Sequence, residues 1–241
     1  MSEERFAARR RGGLLDRWRR PLIIFGSVVL VAAVIWLIWF SSLLAVSKVV
    51  VDGESTLTEA QIRSAGAVPM GRPMARLDTV GIEARVASME RIESVKVSRS
   101  LPGTVRIEVV ERKAIAYATL SGQIRGIDRY GIAFRSYASA PKGLMKVDVI
   151  VANPRRRQQT LAAVASVVEA IDKKDAPLRR EVQSIRATTK DSIVLDLTKG
   201  RTVTWGSASH AERKLTVLNS LLKIKASEYD VSAPDQPTTR K

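Results

Sequence analysis

An uncharged apolar run constrains this chain more than any other feature of its sequence. Residues 22–40 read LIIFGSVVLVAAVIWLIWF, nineteen residues without a charged side chain. As a helix, this run spans about 28 Å, close to the thickness of the hydrocarbon core of a bilayer. Trp18 precedes the run, and Trp39 and Phe40 close it, in the positions typical of interfacial aromatic residues. The run therefore predicts a single transmembrane helix over residues 21–45.

The distribution of arginine predicts the orientation of this helix. Seven arginines and no lysine precede the run, whereas only Lys48 lies between the run and Arg63. Because basic flanks stay on the cytoplasmic side, we expect a cytoplasmic tail over residues 1–20 and an extracytoplasmic chain from residue 46 onward. A cleaved signal peptide is the alternative, but the run exceeds the apolar core of such signals, which is about 7–15 residues long.

Composition and charge narrow the function of the outer part. The chain has 40 Lys and Arg against 24 Asp and Glu, a net charge of +16, with one His and no Cys. Without cysteine there are no disulfides or thiolate metal sites, and one histidine excludes a histidine cluster. A basic chain suggests nucleic acid as a partner, but the predicted topology turns this domain away from DNA. We therefore predict no nucleic-acid partner, no metal and no cofactor.

Residues 46–113 follow the order strand, helix, helix, strand, strand. A Val-rich strand ends at the turn Asp52–Gly53. Thr58 and Gln61 have the spacing of a capping box, which begins a helix near Glu59. A second apolar helical stripe and two strands with alternating Val follow. This order predicts a small α+β module whose helices cover one face of a three-stranded sheet.

Residues 114–232 indicate a mainly β domain with two flanking helices. The first helix carries a long apolar stripe, and Ser209 with Glu212 has the spacing of a second capping box. A last short strand, residues 228–232, precedes two prolines. Because proline interrupts a hydrogen-bonded ladder, we expect the sheet to end there and residues 233–241 to be disordered.

Several local sequences occur in a specific order along this chain. They are VVVDGESTLTEAQI (49–62), VKVSRSLPGTVRIEVVERKAIAY (95–117), IDRYGIAF (127–134), WGSASHAERKLTVLNSLL (205–222) and YDVSAPD (229–235). In this order they resemble the bitopic cell-division proteins of the FtsQ/DivIB family. The resemblance covers the basic tail, the anchor, a POTRA module and a larger β domain. One departure is Ala114, where the family usually has proline. This position lies between the two expected domains, so the departure affects the bend of the chain expected there.

The resemblance implies a non-catalytic scaffold of the division septum in the plasma membrane. Members of the family bind coiled-coil proteins of the FtsB and FtsL types outside the membrane and help control septal peptidoglycan synthesis. Other division proteins are expected to contact the POTRA module. The family binds its partners by strand addition at the last strand of the β domain, which corresponds to Tyr229, Asp230, Val231 and Ser232. A basic residue on the preceding helix corresponds to Lys214, with Arg213 one position away.

Physical arguments point to the same strand independently. A terminal strand exposes a row of backbone donors and acceptors that another strand can pair with. Tyr229 offers a large rigid contact with a polar tip, which is typical of binding hot spots. The alternative is that Tyr229 packs on the helix over residues 210–225 and takes no part in binding.

Other functions are less well supported by the residues. His210 lies at a predicted helix start, and the chain has no Gly-x-Ser-x-Gly motif, so we do not predict an enzyme. POTRA modules also occur in outer-membrane assembly factors, but the residues that follow here are too few for a long barrel.

The main alternative is a membrane-anchored domain that binds anionic wall polymers or lipids through a basic patch. Its candidate residues are Arg155, Arg156 and Arg157. In a helix that began at Pro154, these arginines would oppose the helix dipole. We therefore expect them in a solvated loop, with the helix starting near Thr160.

Overall fold

The computed structural model describes residues 9–40 and 44–241. Residues 1–8 of the expected tail and residues 41–43 of the expected anchor lie outside the described residues. The chain forms two compact units, one up to Glu111 and one from Arg112 onward. The sequence placed this boundary two residues later.

The first unit begins with a helix of 32 residues, α1, Arg9–Phe40. Apolar side chains on it are well exposed, for example Leu22 at 63%, Phe25 at 68% and Leu30 at 65%. In the described part of the chain, none of the helices has the combination of length and apolar character that a membrane crossing needs. The anchor expected over residues 21–45 therefore stays a prediction.

The remainder of the first unit has the predicted order of elements. They are β1 Lys48–Asp52, α2 Glu59–Gly66, a short 3-10 helix Met74–Arg76, α3 Thr79–Ala87, β2 Ile92–Ser100 and β3 Thr104–Glu111. The central strand is β3, which pairs in parallel with β1 and antiparallel with β2. Val51 and Ile107, which are partners in this ladder, bury their side chains with Ile62 of α2 and Ile82 of α3. The predicted β-α-α-β-β module is confirmed.

The capping box predicted for α2 is present. The N–H of Gln61 donates to the Thr58 hydroxyl oxygen at 3.3 Å, and the N–H of Thr58 donates to the Gln61 side-chain oxygen at 2.9 Å. These two bonds satisfy amides that a helix N-terminus leaves without a partner. The helix ends at Gly66, as expected, but the left-handed residue that closes it is Ala67, with φ 45°.

The second unit is built on one sheet of nine strands. The strands are β4 Ala116–Leu120, β5 Gln123–Ile127, β6 Ala133–Tyr137, β7 Met145–Val149, β8 Val182–Thr189, β9 Ser192–Leu197, β10 Thr202–Gly206, β11 Glu228–Asp230 and β12 Thr238–Arg240. Their order across the sheet is β12-β11-β10-β9-β8-β7-β4-β5-β6. The helices are α4 Pro154–Lys174, α5 Ala176–Glu181 and α6 Ala211–Leu221. The mainly β domain is confirmed, with three helices instead of the two expected.

The expected disordered tail is wrong for residues 238–240. These residues form β12, which pairs antiparallel with β11 in the register Glu228↔Arg240, Tyr229↔Thr239 and Asp230↔Thr238. The two prolines do not end the sheet because they lie in the connection between the strands. There the N–H of Gln236 donates to the Ala233 carbonyl oxygen at 2.9 Å and closes a β-turn. Pro234 is the second residue of this turn, a position that favours proline.

The two helix starts predicted in this domain are also corrected. Helix α4 begins at Pro154, so Arg155, Arg156 and Arg157 lie in its first turn and not in a loop. Asn153 caps this helix, and its side-chain oxygen accepts the N–H of Arg156 at 3.0 Å. An Asn cap followed by proline stabilises a helix start by about 1 kcal/mol. This offsets the repulsion between the arginine charges and the positive end of the helix dipole.

Helix α6 begins after His210, which has φ 55° and makes no capping hydrogen bond through its side chain. The capping box predicted for Ser209 and Glu212 is therefore wrong. The hydroxyl of Ser209 lies 2.6 Å from that of Ser207 instead.

The Asp-x-x-Gly turn at the start of the β domain is held by one buried carboxylate. Oδ1 of Asp128 accepts the N–H groups of Tyr130 at 2.9 Å and Ile132 at 2.8 Å, and Oδ2 accepts Nη1 of Arg112 at 2.5 Å. Gly131 in this turn has φ 75°, and a Cβ there would lie 2.3 Å from the backbone nitrogen of Ala162. Only glycine fits this position, since the turn packs directly on the backbone of α4.

Glu111, the residue before Arg112, organises the first unit in a similar way. Its carboxylate accepts the N–H groups of Ser55 at 2.6 Å, Thr56 at 2.9 Å and Leu57 at 3.0 Å, and also the Thr56 hydroxyl. Burial alone raises the pKa of Glu111, but the hydrogen bonds from Ser55, Thr56 and Leu57 outweigh it and lower the pKa from 4.5 to about 2. The carboxylate thus fixes the loop that leads into α2.

Replacement of Glu111 by Gln should destabilise the first unit by about 2 kcal/mol at neutral pH, since hydrogen bonds to a charged group are lost. The folded-state pKa lies below the unfolded one, so the contribution of Glu111 is complete above pH 4.5 and is lost as pH falls toward 2. The measurement is denaturant unfolding of the full chain across this pH range. Glu108→Gln, at an exposed site on the same strand, is the control. Equal unfolding of both variants would contradict the role given to Glu111.

Candidate functional site

The candidate site is the end of the large sheet formed by β10, β11 and β12. Strand β11 pairs in parallel with β10, in the register Thr202↔Glu228, Val203↔Tyr229 and Thr204↔Asp230. On its other side it pairs with β12. The residues predicted to bind a partner therefore do lie at the end of the sheet, but β11 is the second strand from the end and not the terminal one. The prediction that β11 is an open edge is wrong.

Tyr229 is a core residue. Its side chain is 2% exposed, and its hydroxyl donates to the carbonyl oxygens of Ile224 at 2.9 Å and Ala226 at 3.1 Å. These bonds hold the segment between α6 and β11 against the strand. The alternative was that Tyr229 packs on the helix over residues 210–225 and takes no part in binding, and the structure agrees with it in burying Tyr229 in a core that includes Leu215 and Leu218 of that helix. Its side chain offers no surface to a partner.

Val231, Asp230 and Ser232 have three different environments. Val231 is 0% exposed, and its N–H donates to the Thr204 carbonyl oxygen at 3.0 Å, so the pairing with β10 continues past the end of β11. Asp230 is half-buried and accepts the N–H of Ser232 at 2.8 Å, whereas Ser232 itself is exposed. Gly206 has φ 74°, and a Cβ there would lie 2.8 Å from Cβ of Ser232. Glycine at 206 is therefore required for the two segments to approach.

Lys214 is buried, which corrects the prediction that it offers a cation to a partner. It is 1% exposed, and Nζ donates to the carbonyl oxygens of Trp205 at 2.9 Å and Ser207 at 2.8 Å. Burial lowers the pKa of Lys214, and the negative charge of Asp230 opposes that shift. The ammonium group thus connects α6 to Trp205 at the end of β10 and to Ser207 just after it. These two residues lie where β10 stops pairing with its neighbours.

The exposed cation on α6 is the neighbouring Arg213. Lys214, Leu215 and Leu218 form the buried face of this helix, so Arg213 lies on the solvent side. Its guanidinium forms an ion pair with Asp235, and both side chains are more than half exposed. Arg213 was the neighbouring alternative left open by the sequence, and it is the residue that a partner can reach.

Acidic side chains dominate the exposed surface of β11. Glu228 and Asp230 flank the buried Tyr229, and Asp235 lies in the turn that follows. Strand β12 supplies the opposite charge, since Nη1 of Arg240 lies 3.7 Å from the Glu228 carboxylate. An exposed pair at this distance contributes about 0–1 kcal/mol. The pair therefore contributes little to the stability of the fold.

This arrangement can bind an extended peptide through its backbone. Within the described residues, no three His, Asp or Glu side chains come together as a metal site. His210 lies at a helix start and makes no capping hydrogen bond through its side chain. What the site offers is a sheet end with backbone donors and acceptors, a charged rim and a rigid core beneath.

Sequence reasoning missed β12, which is the main structural feature of this site. The signal was present but short: two β-branched residues, Thr238 and Thr239, followed by Arg240. Such residues favour strands, but three residues after a proline give no periodicity to recognise.

Replacement of Tyr229 by Ala should destabilise the second unit by about 3–5 kcal/mol, the range for loss of a large core side chain. Tyr229→Phe removes only the two hydrogen bonds and should cost about 1 kcal/mol. Both are measured by urea unfolding of the full chain in a background where Trp18, Trp36 and Trp39 are replaced by Phe, so that the fluorescence comes from Trp205. An unchanged midpoint for Tyr229→Ala would contradict the placement of this side chain in the core.

Comparison with known proteins identifies both units. Residues 44–112 match the model of the POTRA domain, FtsQ-type, and residues 116–233 match the C-terminal model of the cell division protein FtsQ/DivIB. The chain is 36% identical to cell division protein FtsQ of Streptomyces bingchenggensis over 91% of this chain and 85% of that protein. It is 35% identical to the protein of the same name from Streptomyces venezuelae, over 92% and 83%.

A relative from a different genus shows the same similarity. Cell division protein FtsQ of Mycobacteroides abscessus is 33% identical over 85% of this chain and 64% of its own length. The matched models cover the POTRA-type module and the β domain up to the end of the β10–β11 pairing. The chain therefore belongs to the FtsQ/DivIB family of cell-division proteins.

Proposed function

We propose that this chain is a scaffold of the division septum that binds proteins of the FtsB and FtsL types outside the membrane. Binding takes place by strand addition at β11 and thereby helps control septal peptidoglycan synthesis. Family membership supports the role in cell division. In the same role, the POTRA-type module contacts other division proteins.

The observation that carries this proposal is the unequal burial of the two strands that pair with β11. In β10, Val203 and Trp205 are 0% exposed. In β12, all three residues are exposed. A partner strand that replaces β12 can therefore pair with the backbone of β11 without disturbing the core of the domain.

The hydrogen bonds identify which backbone groups face the partner. The Val231 N–H donates to Thr204, and the Ser227 carbonyl oxygen accepts from Thr202, so these groups point to β10. Because alternate residues of a strand bond to opposite neighbours, the backbone groups of Glu228 and Asp230 point away from β10. These are the donors and acceptors that strand addition uses.

The proposal also places the chain in the plasma membrane by the apolar run at residues 22–40, with its amino-terminal side in the cytoplasm and residues from 46 onward outside. The exposed apolar side chains of α1 support this, because Leu22, Phe25 and Leu30 have no core to enter and a bilayer provides one. The seven arginines before the run support the orientation.

Glu228→Pro should abolish capture of the FtsB- and FtsL-type partners from dividing cells. Proline removes an N–H that faces the partner, and it is tolerated at the first residue of a strand. The matched control is Glu212→Pro, which makes the same change in composition and charge in the first turn of α6, where proline is also tolerated. Co-purification with the full chain measures the effect. Equal capture by the two variants would remove β11 from the binding mechanism.

A second function, binding of anionic lipid headgroups, is favoured by the position of the arginine cluster. Arg155, Arg156 and Arg157 lie in the first turn of α4, which has no acidic residue there. Arg155 and Arg156 are exposed and Arg157 is half-buried, and the ion pairs found among the described side chains do not include them. Three cations kept against a helix dipole are available to an anionic surface.

Charge reversal of these three arginines to Glu should weaken the capture of phosphatidylglycerol vesicles by roughly 100-fold or more at low ionic strength, at about 1 kcal/mol for each lost cation. The full chain is held in phosphatidylcholine nanodiscs for this measurement. Reversal of Lys142, Lys223 and Lys225, also exposed, changes the net charge equally and should have a smaller effect. Equal losses from both triple variants would assign the attraction to net charge alone.

A further inference from the structure

We infer that β12 is a resident strand that occupies the binding edge of β11 and is displaced when an extended segment of a partner binds. This inference rests on the proposed function, because it concerns access to the same edge. It assigns to residues 238–240 a role in limiting how readily the partner docks.

The resident strand is held weakly in comparison with the strand beneath it. All three of its residues are exposed, so it contributes no side chain to the core. Its contacts are the backbone ladder to β11, the exposed ion pair between Arg240 and Glu228, and bonds at one end, where the Ser227 N–H and hydroxyl donate to the Arg240 carbonyl oxygen at 3.0 and 3.3 Å. A partner strand can replace each of these bonds with an equivalent one, so displacement leaves no backbone group of β11 without a partner.

The connection to β11 keeps the resident strand close to its site. Residues 231–237 link the two strands, and the Ala233–Gln236 turn and the ion pair between Arg213 and Asp235 shape this connection. A tether this short gives a local concentration of about millimolar. A separate partner must therefore compete against a strand that is always present.

The resident strand also indicates the chemistry of the segment that replaces it. Thr239 lies opposite Tyr229, Thr238 lies opposite Asp230, and Arg240 lies opposite Glu228. The edge of β11 is acidic, so the incoming segment carries a basic side chain opposite Glu228 and a β-branched or small residue opposite Tyr229. This is an extended, basic peptide segment that pairs antiparallel with β11.

Competition of this kind lowers the apparent affinity by the fraction of chains whose edge is free. If β12 is detached in about 1–10% of chains, its removal tightens partner binding by about 10- to 100-fold. Closure of β12 by a covalent bond should have the opposite effect and prevent binding.

The test uses two variants of the full chain and the FtsB/FtsL-type partner pair as the probe. The first variant lacks residues 238–241. The second carries Glu228→Cys and Arg240→Cys, which are opposite each other in the ladder. Because the chain has no other cysteine, oxidation can form only this one disulfide within the molecule, and the reduced form of the same variant is its own control.

The inference predicts that the shortened chain binds the partner about 10- to 100-fold more tightly than the full chain. The reduced cysteine variant lacks the charge of Glu228 and should bind up to about 5-fold more weakly than the full chain, whereas its oxidised form should not bind. Equal binding by the oxidised and reduced forms would overturn it, because the partner would then dock without displacing β12. Weaker binding by the shortened chain would also overturn it and make β12 part of the docking surface.

A dimer of the full chain that is lost on shortening would assign β12 to exchange between copies, again against the inference. Failure of every form to bind would instead show that the proposed function is wrong at this edge, and the inference would fall with it.

Discussion

The parallel pairing of β10 with β11 is the interaction on which the site depends. It fixes where the large sheet ends, because Tyr229 and Val231 bury their side chains while their backbone groups bond to β10. Lys214 supports this pairing from the helix side, where its ammonium group binds the carbonyl oxygens of Trp205 and Ser207. A strand of three residues forms few hydrogen bonds of its own, so its position must come from such buried neighbours. The result is a strand that buried neighbours fix on one edge and that the exposed strand β12 covers on the other.

A pair of adjacent residues, Glu111 and Arg112, has a comparable role at the boundary of the two units. Glu111 binds the loop before α2 in the first unit, and Arg112 binds Asp128 in the second. Each bond involves a carboxylate that also accepts backbone N–H groups, which is the way in which proteins make buried or half-buried charge favourable. The Glu-Arg sequence therefore stabilises the last strand of one unit and the first turn of the next. Each of the two residues therefore has a structural role, Glu111 in the first unit and Arg112 in the second.

The sequence predicted the POTRA-type module well because local signals agree with each other there. Alternating Val, the Thr58 capping box and the spacing of Ile82 and Val86 all point to the elements that the structure contains. Prediction was poorer where long-range packing overrides a local signal. Lys214 is charged, so a helical pattern places it on the solvent side. In the structure it is buried, and its ammonium group donates to carbonyl oxygens outside the helix. The three residues of β12 have no period to detect and are strand only because β11 is beside them. The first turn of α4 is a different case, because two local signals compete there and the cap of Asn153 outweighs the charge of the arginines.

In this chain of the FtsQ/DivIB family, the strand proposed as the docking edge, β11, is covered by β12. Hydrogen exchange of the full chain, with and without the FtsB/FtsL-type partner pair, tests this most directly, because it reports on individual backbone amides. The account predicts that the amides of Glu228 and Asp230 gain protection when the partner binds, while those of Thr238 and Arg240, which face them in the ladder, lose it. Unchanged exchange in β11 and β12, with new protection at the opposite edge of the sheet in β6, would contradict it.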